Sequence, residues 1–311
     1  MMLFLQYMAT AFGQVMILAV LVAVGYICDK TGLYTQKVSR ACNDLLFYIV
    51  TPAVIIQSFF KVEFNPANGL SFLAMFIIIA VFQAVGCLVV WPLYKKSGED
   101  RPVFQYASMY GNMGYMGLPL AEAVAGEAGV FFCSAAVVVF NIFCFSHGIS
   151  LMQRGKDRLQ LKKLLINPGT IGIVVGLPFF LLRLKMPEMI AVPIEYLGSL
   201  NTPLAMLMFG TYLANTDLPG MFRKKENYLV AFLKLIALPL VAIGVLYLIG
   251  VRGELLVTCA IVCSAPTANN TVMFAAKYDR NTGTASKASG FTSILAIITM
   301  PFCIALADLL G

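Results

Sequence analysis

The sequence predicts an all-α polytopic membrane protein: ten transmembrane helices in a five-plus-five inverted repeat, with the fourth and ninth helices broken and crossed. Three observations carry this. Hydrophobic residues make up 60% of the chain and charged ones 12%, with a mean hydropathy of +0.85, whereas a soluble domain carries roughly a quarter charged residues. The chain divides into apolar runs near the ~20 residues that a hydrocarbon core about 30 Å thick requires of a helix. Two of those runs are interrupted midway by glycine, proline and asparagine, which weaken the helical ladder or carry polar atoms that need partners away from water.

The runs cover 10–28, 43–60, 70–94, 103–121, 129–152, 169–184, 193–214, 228–250, 254–276 and 288–310. They exceed the ~10-residue strands of a barrel and lack its alternation. Met1 to Gln14 places no basic residue ahead of the first apolar run, so that run reads as a retained helix rather than a secretory signal. The second run carries Thr51-Pro52. The fourth contains Tyr110-Gly111-Asn112-Met113-Gly114-Tyr115-Met116-Gly117-Leu118-Pro119. Asn141 lies within the fifth, with His147, the only histidine, towards its end. The sixth has Gly172 and Gly176 at the spacing that lets helices pack closely. Thr202-Pro203 falls in the seventh, Lys234 about two turns into the eighth, and Ser264-Ala265-Pro266-Thr267-Ala268-Asn269-Asn270-Thr271 in the ninth.

Basic residues set the expected orientation. The odd-numbered loops hold seventeen: Lys30, Lys37, Arg40; Lys95, Lys96, Arg101; Arg154, Lys156, Arg158, Lys162, Lys163; Arg223, Lys224, Lys225; Lys277, Arg280 and Lys287. The even loops hold four: Lys61, Arg183, Lys185 and Arg252. Positive charge stays on the cytoplasmic side, so both termini are expected outside the cytoplasm of a cell (inner) membrane protein. The same bias accounts for the net charge of +7 without nucleic acid, which would require a basic patch on a soluble module.

The longest cytoplasmic linker, 153–168, separates a first five-helix repeat, 1–152, from a second, 169–311. Five is odd, so the second set runs through the membrane upside down. Thr51-Pro52 pairs with Thr202-Pro203, and the break in the fourth run pairs with that in the ninth. Interrupted segments at corresponding places in two halves point to a transporter's binding site. Each break frees a half-helix N-terminus with unpaired N–H groups and partial positive charge. Pro119 suits the first turn of such a half-helix. Asn112, Asn269, Asn270 and Thr271 add neutral donors, a set that fits an anion. The alternative is that these residues merely kink two helices and satisfy the freed backbone.

Other residues carry two readings each. Asn141 is a ligand contact or an interhelical hydrogen bond. His147 is a proton-coupling group, since its charge can change near neutrality, or a polar helix end. Lys234 snorkels to the cytoplasmic face or is a functional intramembrane cation. The eight cysteines form no C-x-x-C pair. Cys259 and Cys263, one turn apart, read as small polarizable core residues rather than metal ligands, and no metal or cofactor is implied. Asn269-Asn270-Thr271 has the form of a glycosylation sequon, but its place inside a span argues against modification. H-E-x-x-H, G-x-S-x-G and Walker motifs are absent from the sequence, which speaks against an enzyme or a nucleotide-driven pump.

Asn112-Met113-Gly114-Tyr115-Met116-Gly117-Leu118-Pro119-Leu120 resembles the Asn then Met-Gly-(Ile/Leu)-Pro-Leu signature of the auxin efflux carrier family. Lys163-Leu164-Leu165-Ile166-Asn167-Pro168 followed by Thr170 resembles that family's Asn-Pro-x-Thr entry to the sixth helix. Pro266 with Phe274-Ala275-Ala276-Lys277-Tyr278 is similar to its ninth helix and Lys-x-Tyr exit. The resemblance spans essentially the whole chain, and the family is a branch of the bile-acid and arsenite transporter superfamily. It implies a scaffold domain from helices 1, 2, 6 and 7 and a transport domain from helices 3–5 and 8–10. It also implies a homodimer packed through the scaffold. The family's substrate asparagines fall on Asn112 and Asn141, and its crossover prolines on Pro119 and Pro266. Gly111, Gly114, Thr267, Asn269 and Asn270 complete the expected site. The chain lacks the long central loop of many plant members and has Val54 and Ile55 where those place a serine after Pro52, which fits a short microbial form. Bacterial members are associated with malate, malonate and similar carboxylates.

The expected partners are therefore a small organic anion, the lipid bilayer and a second copy of the chain. The carboxylates Asp44, Glu195, Glu254 and Asp308 lie near run ends, so the expected mode is potential-driven export by an elevator-like movement. A sodium- or proton-coupled symporter is the alternative within transport. A carboxylate receptor or sensor is the alternative outside it.

Overall fold

The computed structural model describes residues 2–61, 66–153 and 168–311. Among these the chain is helical apart from short connections, and its one β-type pairing is an isolated antiparallel bridge between Gly111 and Thr267. Five helical stretches are long and apolar enough to cross a membrane: Ala41–Lys61, Pro66–Val90, Met113–Met152, Lys225–Leu248 and Thr282–Leu310. Two shorter apolar helices, Thr170–Leu181 and Gly253–Ser264, accompany them. The protein is thus all-helical and multi-pass. Leucine, isoleucine and valine side chains such as Ile77, Val81 and Leu88 stand exposed on its surface, as contact with lipid requires.

The helices that place the site are α1 (Met2–Lys30), α2 (Gln36–Leu45), α3 (Thr51–Lys61), α4 (Pro66–Val90), α5 (Arg101–Met109), α6 (Leu118–Phe143) and α7 (Ile149–Met152). After the linker come α8 (Pro168–Leu181), α9 (Glu188–Ser199), α10 (Asn201–Ala214), α11 (Leu218–Met221), α12 (Lys225–Phe232), α13 (Leu238–Leu248), α14 (Gly253–Ser264), α15 (Asn270–Lys277) and α16 (Thr282–Leu310). Arg154, Lys156, Arg158, Lys162, Lys163 and Asn167 lie outside the described residues.

The expected fourth and fifth runs meet at a tight break. The stretch Met113–Met152 would be about 60 Å long if straight, at 1.5 Å per residue, too long for one crossing of a ~30 Å core. Gly126, with φ of 59° and ψ of −147° outside the helical region, divides it into two helical segments. Only glycine adopts such a conformation at ease.

Among the described residues, four five-residue π turns interrupt the helices, at Leu46–Val50, Met113–Gly117, Cys144–Gly148 and Leu233–Ala237. Three end two residues before a proline: Pro52, Pro119 and Pro239. A proline ring has no N–H to give and collides with the carbonyl four residues earlier, and the wider turn moves that carbonyl aside. The Leu235 carbonyl freed in this way accepts the Cys303 thiol at 3.8 Å. The turn Cys144–Gly148 has no proline just after it. It brings Gly148 against the stacked Tyr106 and Tyr110 rings, where a Cβ would lie 2.8 Å from Tyr106 Cε2.

Glycines set the closest helix contacts. A Cβ on Gly25 would collide with the Leu207 carbonyl, and one on Gly210 with the Val22 carbonyl, so α1 and α10 meet backbone to backbone. Gly172 and Gly176 of α8 face Ile55 and Phe59 of α3, at 3.0 and 2.9 Å from a would-be Cβ. These two glycines pack closely, as their spacing implies.

Asp100, between α4 and α5, ties three segments together. It accepts from Lys224 at 2.9 Å and from Thr284 at 2.8 Å. Burial pushes its pKa up, but the hydrogen bonds from Lys224 and Thr284 outweigh this and hold it below the ordinary 3.8. A lowered folded-state pKa contributes stability that is complete above the unfolded value and disappears as pH falls through the folded one. Lys224→Met is therefore expected to lower the melting temperature modestly at neutral pH, consistent with about 1 kcal/mol or less for a partly exposed pair. The difference should close in acid, as thermal melts of the two proteins across pH will show.

Candidate substrate site

The two interrupted segments meet. On either side of the Gly111–Thr267 bridge, the Asn112 N–H donates to the Pro266 carbonyl at 2.7 Å and the Ala268 N–H to the Tyr110 carbonyl at 2.8 Å. Pro266 can only accept, which suits this register. Beyond the bridge each chain enters a new helix, and an asparagine stands at each entry. Asn112 caps the turn leading into α6, its Oδ1 accepting the Tyr115 N–H at 3.3 Å. Asn269 precedes α15 without a capping bond, and its Oδ1 is buried with no hydrogen-bond partner. Two helix N-termini with their partial positive charge therefore begin side by side.

A cavity of about 40 Å³ lies at these N-termini. Asn112, Gly114, Asn141, Asn269 and Asn270 line it together, so residues far apart in sequence converge. Asn141 is buried in the last turn of α6, just ahead of the π turn Cys144–Gly148, and the Asn270 Nδ2 donates to Cys144 Sγ at 3.6 Å. The remaining lining residues are Phe47, Thr51, Tyr115, Val137, Phe140 and Ala268. No charged side chain is among the lining residues. The volume is far below the ~300–1,000 Å³ of pockets that hold drug-sized ligands, so a larger ligand requires the walls to part. Phe47 and Thr51, on the π turn and start of α3, and Tyr115, whose hydroxyl donates to Asn43 Oδ1 at 3.1 Å, were not legible as lining. The Thr51-Pro52 pair was the available signal.

Four expected residues are not on the lining. Pro119 is buried in the first turn of α6, and Pro266 serves the bridge. Thr267 is used up by the protein: its hydroxyl donates to the Ala107 carbonyl at 2.8 Å, and its N–H to Thr292 Oγ1 at 3.2 Å. Its carbonyl accepts from Ser289 at 3.3 Å. Gly111 lies against Lys234, whose Nζ would be 2.7 Å from a Cβ at that position.

Lys234 does not snorkel. It is fully buried, and its ammonium donates to the Cys263 carbonyl at 3.1 Å. His147 is no simple helix end either. Its Nδ1 is 2.9 Å from the hydroxyl of Tyr110, the residue before the bridge, and 3.6 Å from Cys87 Sγ, and it is off the cavity lining.

The chain matches, over residues 10–304, the model of a family described as membrane transport protein. It is 26% identical over 276 residues to an "uncharacterized transporter" of Methanocaldococcus jannaschii, covering 85% of this chain and 88% of the relative. A second "uncharacterized transporter", from Methanothermobacter thermautotrophicus, is 23% identical over 291 residues, 91% and 93% of the two chains. A Rhizobium meliloti protein named "putative malonate transporter" is 23% identical over 314 residues, 94% of each chain. These relatives are named as transporters, not enzymes. With nearly its whole length matched, the chain belongs to this membrane transport protein family, that of the auxin efflux carriers.

Proposed function

We propose that the protein is a secondary transporter that exports a small organic carboxylate anion, with Asn112, Asn141, Asn269 and Asn270 as its principal ligand donors. The observation that carries this is the cavity where two helix N-termini and four side-chain amides converge without a carboxylate. Amide hydrogens and helix N-termini bind anions without adding a charge of their own. The name of the Rhizobium meliloti relative supports malonate as the first substrate to try. In this reading the ten runs form a five-plus-five inverted repeat with both termini outside the cytoplasm. The transport domain (third to fifth and eighth to tenth runs) moves like an elevator against a scaffold of the first, second, sixth and seventh. Two copies pair through the scaffold, which a monomeric mass in nanodiscs would exclude.

Moving one charge through the membrane potential is worth about 2.3 kcal/mol per 100 mV, roughly fiftyfold in a concentration ratio. A negative interior thus drives an uncoupled anion outward. The test is malonate flux in proteoliposomes clamped with potassium and valinomycin while proton and sodium gradients are varied independently. Flux that follows the potential alone is expected. Flux that ignores the potential and follows the proton gradient would favour a proton-coupled symporter, for which the Tyr110–His147 hydrogen bond is the specific support. Binding without flux would mark a receptor.

A further inference from the structure

Lys234 is a fully buried cation outside the cavity lining. It sits in the π turn Leu233–Ala237, between α12 and α13. Its Nζ donates to the Cys263 carbonyl in the last turn of α14 at 3.1 Å, and lies 5.8 Å from the centroid of the Phe82 ring of α4. It also lies against Gly111, two residues beyond the end of α5, where a Cβ would be 2.7 Å from Nζ and 2.9 Å from Cε. The bridge that opens two N-termini on one side therefore leaves two C-terminal ends, those of α5 and α14, on the other. Helix C-termini carry partial negative charge, and unwound carbonyls at such ends are where transporters of other folds hold a metal cation. Here a lysine reaches that spot from a third helix, with a carbonyl and an aromatic face around its head.

We propose that Lys234 is a tethered cation, doing at the paired C-termini of α5 and α14 what a dissolved sodium or potassium ion would otherwise do: neutralising both ends and holding the Gly111–Thr267 bridge in register. Gly111 lacks a side chain because the ammonium occupies that space. The proposal extends the transport reading of the site and rests on it for one consequence. A cation fixed to the moving domain accompanies the anion outward and returns with the unloaded domain. The cycle then carries only the anion's charge and needs no external metal ion. A negative interior draws the unloaded, positively charged domain back inward.

Two measurements separate the tether from the transport reading. The first is thermal melting of the purified protein and of Lys234→Ala in sodium-free, sodium, potassium and methylammonium media. The wild type should be indifferent to the cation. The variant should melt at least several degrees lower and recover part of the loss with one of these ions. Lys234→Gln, which can keep a hydrogen bond to Cys263 but not the charge, is the second variant and serves if the alanine form does not fold. It too should respond to cations. The second measurement is malonate flux, where the wild type should be unaffected by removing sodium and Lys234→Gln should fall at least tenfold without a small cation. A wild type stabilised by sodium, or a folded variant that no cation stabilises and that transports normally, would overturn the tether. Cation-responsive melting without any malonate flux by the wild type would keep the tether and overturn the transport reading.

Discussion

Asn112→Asp is expected to keep the fold and to lose transport. An aspartate oxygen can still accept the Tyr115 N–H that Asn112 Oδ1 accepts at 3.3 Å, so the turn into α6 retains its cap. The same substitution puts a negative charge on the cavity wall. Two like charges about 4 Å apart at an effective dielectric constant near 20 repel by ~4 kcal/mol, about three orders of magnitude in anion affinity. Asn112→Ala is a poorer probe, because losing the cap costs about 0.5–2 kcal/mol by itself. Asn141→Ala complements it, since Asn141 lies far from a helix start, in the last turn of α6 where the helical stretch runs on into the π turn Cys144–Gly148. Loss of a hydrogen bond to a charged ligand there is worth about 1.5–3 kcal/mol, ten- to a hundredfold in flux at low substrate. Proteoliposome flux with melting curves on the same preparations decides the matter. An Asn112→Asp protein that folds and transports at the normal rate would place the anion elsewhere.

Gly210→Ala is expected to give the largest loss of stability of any single methyl group added to α10. Its Cβ would collide with the Val22 carbonyl and lie 2.5 Å from the Tyr26 backbone nitrogen. Both are backbone atoms of α1, so no rotamer change relieves the clash and the two helices must separate. Overpacking of this kind costs about 1–3 kcal/mol, or roughly 2–12 °C in melting temperature for a chain of this size. Gly244→Ala in α13 is the control. Nothing lies within 4 Å of its added methyl, and alanine is the better helix former by about 0.5–1 kcal/mol, so it should melt at or above the wild-type temperature. A Gly210→Ala protein indistinguishable from wild type would mean that α1 and α10 are not in this contact in the membrane.

Much of the site was legible because its chemistry is carried by residues that look wrong in an apolar run. Gly111, Asn112, Pro266 and Asn269 announce breaks wherever they occur in a membrane helix, and the breaks do meet. What a residue does at the meeting depends on neighbours from other runs, which spacing does not reveal. Thr267 reads as a ligand until Ala107, Ser289 and Thr292 consume its hydrogen bonds. Lys234 reads as snorkelling because its partners, Cys263 and Gly111, come from α14 and the end of α5. The loop expected between the fourth and fifth runs shrank to Gly126, since one left-handed residue can redirect a chain whose neighbours all favour helix. Phe47 escaped notice because an apolar ring is unremarked in any membrane helix, and Thr51, singled out only for its pairing with Thr202-Pro203, gave no sign that it lines the cavity.

The proline-linked π turns bear on how such chains diverge. A π turn accommodates one residue more than the α-helix around it, and one residue corresponds to about 100° of rotation at 3.6 residues per turn. Removing a residue from Leu46–Val50, Met113–Gly117 or Leu233–Ala237 would straighten the ladder but swing the side chains on one side of the turn by that angle, moving Lys234 or Asn112 relative to its partners. Loss or gain of the following proline should therefore go with loss or gain of a neighbouring residue. Between distantly related chains, single-residue gaps should fall inside these membrane helices, just ahead of Pro52, Pro119 and Pro239, as well as in the loops where gaps usually gather.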